Sequence, residues 1–333
     1  MVHIYQPRAV SVVTQPEAGV GPVVTLIEQA TQYICVKMFT FTSPMLVTAL
    51  VAAAKRGVLV RVMLNPHRSS GSRANDETVE LLRAGGVVCS WTNPAFVVTH
   101  EKSLVVDDRT VLIATFNFCE KYFSLTRDYG VVIDDVRLAR EVMACFEADW
   151  AHRSFEIPPD TCLIWSNRTS RRAMCEFIDA AKVKLRIQHP KFSDVTVLDR
   201  LLKALDRGVE VRVLCGGRHG ISEYDLLDTF SSLRALHRAG ASVHKQHGLR
   251  THAKLMLADD RYALLGSMNI DRSAFDLRRE LGILMQVPDA VGLLAARFRA
   301  DWAISSHYDA PDPLDEVIPI ETDHPLDPEM AHE

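Results

Sequence analysis

The 333-residue sequence repeats itself once, at an offset of 151 to 152 residues, and this limits the possible folds more than any other feature. Arg56-Gly57-Val58-Leu59-Val60-Arg61-Val62 returns as Arg207-Gly208-Val209-Glu210-Val211-Arg212-Val213. Thr99-His100-Glu101-Lys102 returns as Thr251-His252-Ala253-Lys254, and Phe146-Glu147-Ala148-Asp149-Trp150 as Phe298-Arg299-Ala300-Asp301-Trp302. Chance does not keep three motifs in register over such a span. The period is far longer than a solenoid unit, so each copy is expected to be a domain. The boundaries read as residues 1–154, residues 155–305 and a tail of residues 306–333.

Both copies carry the same succession of signals. Ser43-Pro44 caps and opens a helix that stops at Gly57; Asp194 and Gly208 do so in the second copy. Runs rich in β-branched residues follow (58–64 and 209–214), then a second helix ending at Gly85 or Gly240. A further strand leads to the histidine, and a hairpin closes the unit. Strands alternating with helices predict an α/β sheet with helices on its faces. Residues 151–165, with Pro158-Pro159, form the linker.

Composition excludes some classes. Hydrophobic residues make up 47% and charged residues 24%, ordinary for a globular chain. The longest apolar run, Met45 to Ala54, falls short of the roughly 18 residues of a membrane span. The N-terminus does not read as a secretory signal. Seven scattered cysteines without a C-x-x-C pair suit a reducing cytosol. The net charge of −4 misleads, because the stretch from Ser306 holds nine acidic residues, five prolines and no Lys or Arg. Without it the chain has 38 basic and 33 acidic residues, a +5 body suited to phosphate-bearing substrates, with a tail expected to be disordered.

The chemistry lies in the repeat. Each copy has His-x-Lys with an Asp five residues after the Lys: His100, Lys102, Asp107 and His252, Lys254, Asp259. Residues two apart on a strand share a face, so His and Lys project together. The Asp begins a turn and is expected to brace the hairpin or the Lys. The returning strand brings Thr115 and Asn117, or Ser267 and Asn269, and eleven residues past each Asn stands a carboxylate, Asp128 or Glu280. Facing two such halves would join two imidazoles at one site. Lys102, Lys254, Asn117 and Asn269, with Thr115 and Ser267, would bind the phosphate oxygens. One histidine would attack phosphorus while the other donates to the leaving oxygen, each held by a carboxylate. No metal or cofactor is called for.

The duplicated H-x-K-x4-D motif with its Asn-bearing strand resembles the phospholipase D superfamily over roughly residues 20 to 303. The resemblance implies two tandem α/β/α sandwich domains related by a pseudo-twofold axis, with the active site at their interface. It also implies a covalent phosphohistidine with water or an alcohol as acceptor, nucleophile His100 and general acid His252. Trp91 to Phe96, Arg127-Asp128-Tyr129 and Leu163 to Ser166 are similar to soluble bacterial cardiolipin-synthase-like members. Departures are Ala114 where the family favours Gly, Ser273-Ala274-Phe275 in place of Ser-Leu, and the lack of transmembrane helices.

Three functions follow as expectations. The first is a phospholipid phosphodiesterase or transphosphatidylase, cytoplasmic and peripheral to the inner face of a bacterial membrane. The second is a nuclease or other nucleic-acid phosphodiesterase, and the third a non-catalytic binding protein. Phe116, Phe118, Tyr122 and Phe123 beside the first half-site, and Arg278 and Arg279 beside the second, suit an amphiphile or a stacked base; core packing explains the aromatics equally. Met38, Phe39 and Phe41 read as core, and His244 and His247 as loop residues rather than metal ligands. Oligomeric state is not encoded legibly.

Overall fold

The β-branched runs of the two copies become the central strands of two sheets. A computed structural model describes residue 4 and residues 10–67, 71–218, 221 and 223–312. The first copy runs β1 Val10–Gln15, α1 Gly21–Gln29, β2 Tyr33–Met38, α2 Pro44–Lys55, β3 Leu59–Leu64, α3 Asp76–Ala84, β4 Val88–Trp91, β5 Lys102–Val106, β6 Thr110–Ala114, α4 Glu120–Ser124, β7 Thr126–Asp134 and α5 Val136–Trp150. The second runs β8 Leu163–Trp165, α6 Ser170–Ala180, β9 Lys184–Gln188, α7 Val195–Asp206, β10 Glu210–Cys215, α8 Glu223–Arg238, β11 Ser242–Lys245, β12 Arg250–Thr251, β13 Leu255–Ala258, β14 Tyr262–Gly266, α9 Arg272–Asp276, β15 Leu281–Met285, α10 Pro288–Ala303 and β16 Ser306–His307.

Strand order repeats along with the sequence. It is β1-β7-β6-β5-β2-β3-β4 in one sheet and β8-β15-β14-β13-β9-β10-β11, ending on β16, in the other. In each, three parallel strands joined by helical crossovers continue into an antiparallel meander. Helices α1 to α3 pack on the first sheet through Val23, Ile27, Leu46, Leu50, Val79 and Leu82. Helices α6 to α8 cover the second through Met174, Ile178, Val197, Leu201, Phe230 and Leu233. The remaining layer is common property: Leu138 and Val142 of α5, Leu294 and Phe298 of α10, and inward residues such as Val105, Ile133, Leu257 and Ile283 form one core. The α/β/α arrangement in duplicate is as the family resemblance implied. Burying each of these large side chains contributes about 1.5–3 kcal/mol, so the two copies are not separable at low cost.

Local chemistry explains the element ends. Gly57 and Gly208 terminate α2 and α7 at φ +92° and +81°, where a side chain would be strained. Asp194 caps α7 by accepting from the Thr196 and Val197 N–H groups at 3.1 and 3.0 Å. Ser43 departs from expectation: Pro44 starts α2, but the Ser43 hydroxyl donates to Glu120 at 2.8 Å instead of capping. The β5–β6 and β13–β14 turns place both central aspartates at positive φ, 51° and 51° for Asp107 and Asp108, 55° and 52° for Asp259 and Asp260. Asp tolerates that region and the primed turn matches strand twist. The stretch beginning at residue 306 starts as structure, since β16 pairs antiparallel with β11 at His244↔His307 and Lys245↔Ser306. Residues 313–333, the bulk of the acidic stretch, lie outside the described residues.

Candidate active site

Each histidine sits just ahead of its strand, not within it as the sequence reading had placed it, at a point where the two copies cross. Thr99 bridges Arg279, the His100 and Glu101 N–H groups donate to the Arg279 carbonyl at 2.8 and 3.0 Å, and Arg279 N–H donates to Val98. In return β12 pairs parallel with the start of β7, and His252 N–H donates to the Arg127 carbonyl at 3.1 Å. The residues leading to one copy's histidine therefore run beside those leading to the other copy's carboxylate.

That crossing decides the side-chain pairs. His100 Nδ1 lies 3.0 Å from both Glu280 oxygens, and His252 Nδ1 lies 2.8 Å from Asp128 Oδ1. Each imidazole is thus oriented by the opposite copy. His100 Nδ1 is also 3.1 Å from the Ser267 carbonyl. A carbonyl can only accept, so Nδ1 carries a proton and the Nε2 lone pair is left for chemistry when the ring is neutral. Lys102 and Lys254 donate to the carbonyls of His100 and His252 at 2.7 and 2.6 Å, and Lys254 Nζ also lies 2.8 Å from His252 Nε2. Asn117 is fully buried, and among the described residues its Nδ2 meets no acceptor. Asn269 likewise keeps a buried Oδ1 with no donor.

One assignment needs correction and a second is narrowed. Thr115 and Ser267 were expected on phosphate, but their hydroxyls are spent on the carboxylates: Thr115 donates to Asp128, as does Thr126 at 2.6 Å, and Ser267 donates to Glu280. They fix the groups that fix the histidines. Asp107 and Asp259 stand in the motif with the His and Lys, and of the two roles expected for them, bracing the hairpin or the Lys, only the first is kept: their carboxylates accept from backbone N–H groups at residues 31–33 and 182–184 at 2.8–3.0 Å. They pin the hairpin turns to the starts of β2 and β9, roughly 15 Å along the strand from the Lys. Their role is to hold strand register.

The two imidazole–carboxylate pairs differ electrostatically. Burial, and then the positive charges of Lys102, Arg278, Lys254 and His252, hold His100 well below the usual histidine range, so it is neutral. Burial also pushes Glu280 up to about 8, despite Lys102 and Arg278. Burial would raise Asp128 too, but the charge of His252, its hydrogen bond, and Lys254 and Thr115 reverse the effect and hold it below the usual carboxylate value. Hence the His100 side prefers to be uncharged near neutrality, while Asp128 is an anion facing His252.

Sequence reasoning missed a second crossed set. Arg279 makes a bidentate pair with Asp149 of α5, at 3.0 and 2.9 Å, and Arg127 makes one with Asp301 of α10, at 2.8 and 3.0 Å. Each arginine immediately precedes a carboxylate that holds a histidine, so the pairs clamp those carboxylates against the common core. The first copy adds buried Lys37, donating to Glu101 at 3.0 Å and Asp149 at 2.8 Å. The second replaces Lys37 and Glu101 by Gln188 and Ala253, and Gln188 donates to Asp301 at 2.9 Å. Removing one charge along with its opposite leaves balance in both places. The signal was present, because Asp149 and Asp301, and Arg127 and Arg279, share the 152 offset. His189, a third buried imidazole with Nε2 3.1 Å from the Met268 carbonyl, replaces Met38 of the first copy and left no repeat to find.

The remaining candidates resolve simply. Phe116, Phe118, Tyr122 and Phe123 belong to the first copy's core, though the Tyr122 ring also lies 4.7 Å from that of His252. Met38 and Phe41 are core as well, while Phe39 sets its edge 5.0 Å from the His100 ring. His244 and His247 engage Ser305 and Ser306.

The family described as "Cardiolipin synthase, PLD-like domain" matches the chain twice, over residues 23–150 and 174–302. Cardiolipin synthase A of Pseudomonas syringae pv. syringae is 26% identical over 328 residues, covering 87% of this chain and 67% of that protein. The major cardiolipin synthase of Bacillus subtilis is 27% identical, over 78% of this chain and 61% of its own length. The chain thus spans about two thirds of the length of the curated relatives it matches. Among solved structures, phosphatidylserine synthase of Haemophilus influenzae Rd KW20 superposes with a TM-score of 0.75 at 17% identity, covering 92% of this chain and 89% of that one. At that identity the likeness speaks for the fold alone. A family match that spans both copies and encloses both histidines makes this chain a member of the phospholipase D superfamily.

Proposed function

We propose that the chain is a phosphatidyl-transferring phosphodiesterase working through a phosphohistidine on His100, with His252 as general acid and then base. The observation that carries this is the Ser267 carbonyl and Glu280 on His100 Nδ1, which leave Nε2 as the lone pair of a neutral ring. In the first step Nε2 attacks phosphorus, the bond to the leaving alkoxide breaks, and protonated His252 gives that oxygen its proton. In the second, neutral His252 takes a proton from water or an alcohol, whose oxygen attacks phosphorus and breaks the P–N bond. Asp128, held as an anion, favours the imidazolium that forms on His252. The contact of Lys254 Nζ with His252 Nε2 is one that protonated His252 cannot keep, so an incoming phosphate is needed to draw Lys254 onto its oxygens. Lys102 and the unsatisfied Asn117 amide complete the oxyanion cradle. This chemistry needs no metal, and turnover is expected to survive exhaustive chelation.

Phospholipid as the substrate class rests on the cardiolipin-synthase family match. Peripheral contact with a lipid surface is supported by Val97 and Leu277, 72% and 50% exposed, joined by a 3.1 Å hydrogen bond and each three residues before His100 or Glu280. Among the described residues no helix is long and apolar enough to cross a membrane. The test is a side-by-side assay of phosphatidylglycerol vesicles and single-stranded DNA. Release or exchange of lipid headgroup supports the reading; cleavage of DNA alone defeats it.

A further inference from the structure

Beyond the exchange of Lys37 and Glu101 for Gln188 and Ala253, the two copies differ around Arg127 and Arg279 in one further respect, and that difference lies beside a cleft. At the first pole Arg127 has its whole guanidinium engaged. It binds Asp301, donates Nη1 to the Gln15 carbonyl, and meets Glu17, which also pairs with Arg297 at 3.0 Å. The register of β1 on β7 and of β8 on β15 aligns Gln15 with Ser166, and therefore Glu17 with Arg168. An acid at one pole has become a base at the other.

The consequence is local and uncompensated. Arg279, its side chain only 6% exposed, still binds Asp149 through Nε and Nη2, but among the described residues nothing accepts from its Nη1. A cleft of about 240 Å³ lies against this arginine. His152, Arg153, Arg168, Ser154 and Asn167 complete its polar wall, Phe96 stacks 4.1 Å from the guanidinium, and no carboxylate lines it. Arg153 and Arg168 are exposed and make no ion pair among the described residues. Three guanidinium groups, that of Arg279 held in place and those of Arg153 and Arg168 exposed, surround a concave, acid-free wall, and planar forked donors favour phosphate over a simple halide.

We infer that this linker cleft is a second phosphate-binding site, separate from the histidine pair, that takes a phosphomonoester or phosphodiester anion through Arg168, Arg153 and the free edge of Arg279. It adjoins the active site through Arg279, whose carbonyl accepts from the His100 N–H at 2.8 Å, and through Ser166, whose hydroxyl accepts from the Glu280 N–H at 2.7 Å. The apolar strip of Ala95, Phe96, Phe155 and Ile157 gives room for the carbon portion of an organic phosphate. The site stands or falls apart from the phosphohistidine reading, because it concerns binding and uses neither histidine.

The repeat suggests the test, which is to restore the first pole's acid. Inorganic phosphate and glycerol 1-phosphate are titrated separately into the full chain at low ionic strength, by calorimetry. Two binding events are expected, and Arg168→Glu should weaken one at least tenfold while leaving the other and the melting temperature in place. Arg153→Gln, a milder change, should weaken the same event by a smaller factor. If Arg168→Glu reduces both anions, free phosphate suffices as ligand; if only glycerol 1-phosphate is affected, the cleft reads the headgroup, and either result supports the site. If no event, whether the parent chain shows one or two, is weakened by Arg168→Glu for either anion, the site is overturned.

Discussion

At the scale of single residues, the account turns on protons. Glu280 ionises as pH rises through about 8, and only its anion strengthens the His100 Nδ1–H bond that makes Nε2 a better nucleophile. His100, held neutral well below its ordinary range, imposes no loss until the solution is distinctly acidic. The kcat/KM for bis(p-nitrophenyl) phosphate should therefore climb toward pH 8, and Glu280→Gln should flatten that rise while lowering activity about 100-fold. An unchanged profile in the variant would assign the limb elsewhere. Gly266 makes a different demand: a Cβ there would lie 2.5 Å from the Gly282 Cα and the Leu281 carbonyl. Gly266→Ala should force β14 and β15 apart beside Ser267 and Glu280, lowering the melting temperature and activity together. The first copy carries Ala114 opposite Gly130 at the equivalent place.

At the scale of elements, the crossed pairs bind strand to helix across the copies. Asp149 is buried with Lys37 and Arg279, whose charges outweigh burial and keep its carboxyl below the usual value. A depressed folded pKa contributes stability that is complete above the unfolded value, near 4, and is lost as pH falls through the folded value. Thermal stability should accordingly fall steeply below about pH 4. Asp149→Asn should cost about 3–5 kcal/mol at neutral pH by leaving buried cations unpaired, and should have a shallower acid dependence. A variant as stable as the parent would remove the clamp from the account. Charge at Val97 belongs to this scale as well. Val97→Asp should cut turnover of vesicle lipid at least tenfold and leave bis(p-nitrophenyl) phosphate hydrolysis within about twofold, an outcome read by comparing the two assays. How much the sequence disclosed follows element by element. Motifs that repeat at the 152 offset exposed the duplicated α/β units, both histidines, both lysines and both carboxylates. Pairing across copies was not legible, since an offset says which residues are equivalent and not which ones touch. Thr115 and Ser267 were misread for that reason, a hydroxyl near a phosphate site and one holding a carboxylate being identical in sequence.

At the scale of the molecule, neither copy contains a complete catalytic unit. His100 depends on Glu280 and His252 on Asp128, and the common core of α5, α10 and both sheets holds the exchange in place. Equal halves have drifted toward unequal duties, a buried ring held neutral on one side and, on the other, a ring that faces a carboxylate held as an anion. The proposed division, attack by His100 and proton transfer by His252, rests on that inequality and can be tested directly. Loss of His252 should spare the first step for a leaving group as good as p-nitrophenolate but block release of the phosphoryl group. His252→Ala mixed with bis(p-nitrophenyl) phosphate should give a burst of about one p-nitrophenol per chain. Mass analysis of its peptides should then find an acid-labile phosphoryl adduct on the peptide bearing His100. A burst absent in every condition, or an adduct on any other residue, would contradict the assignment of His100 as the nucleophile.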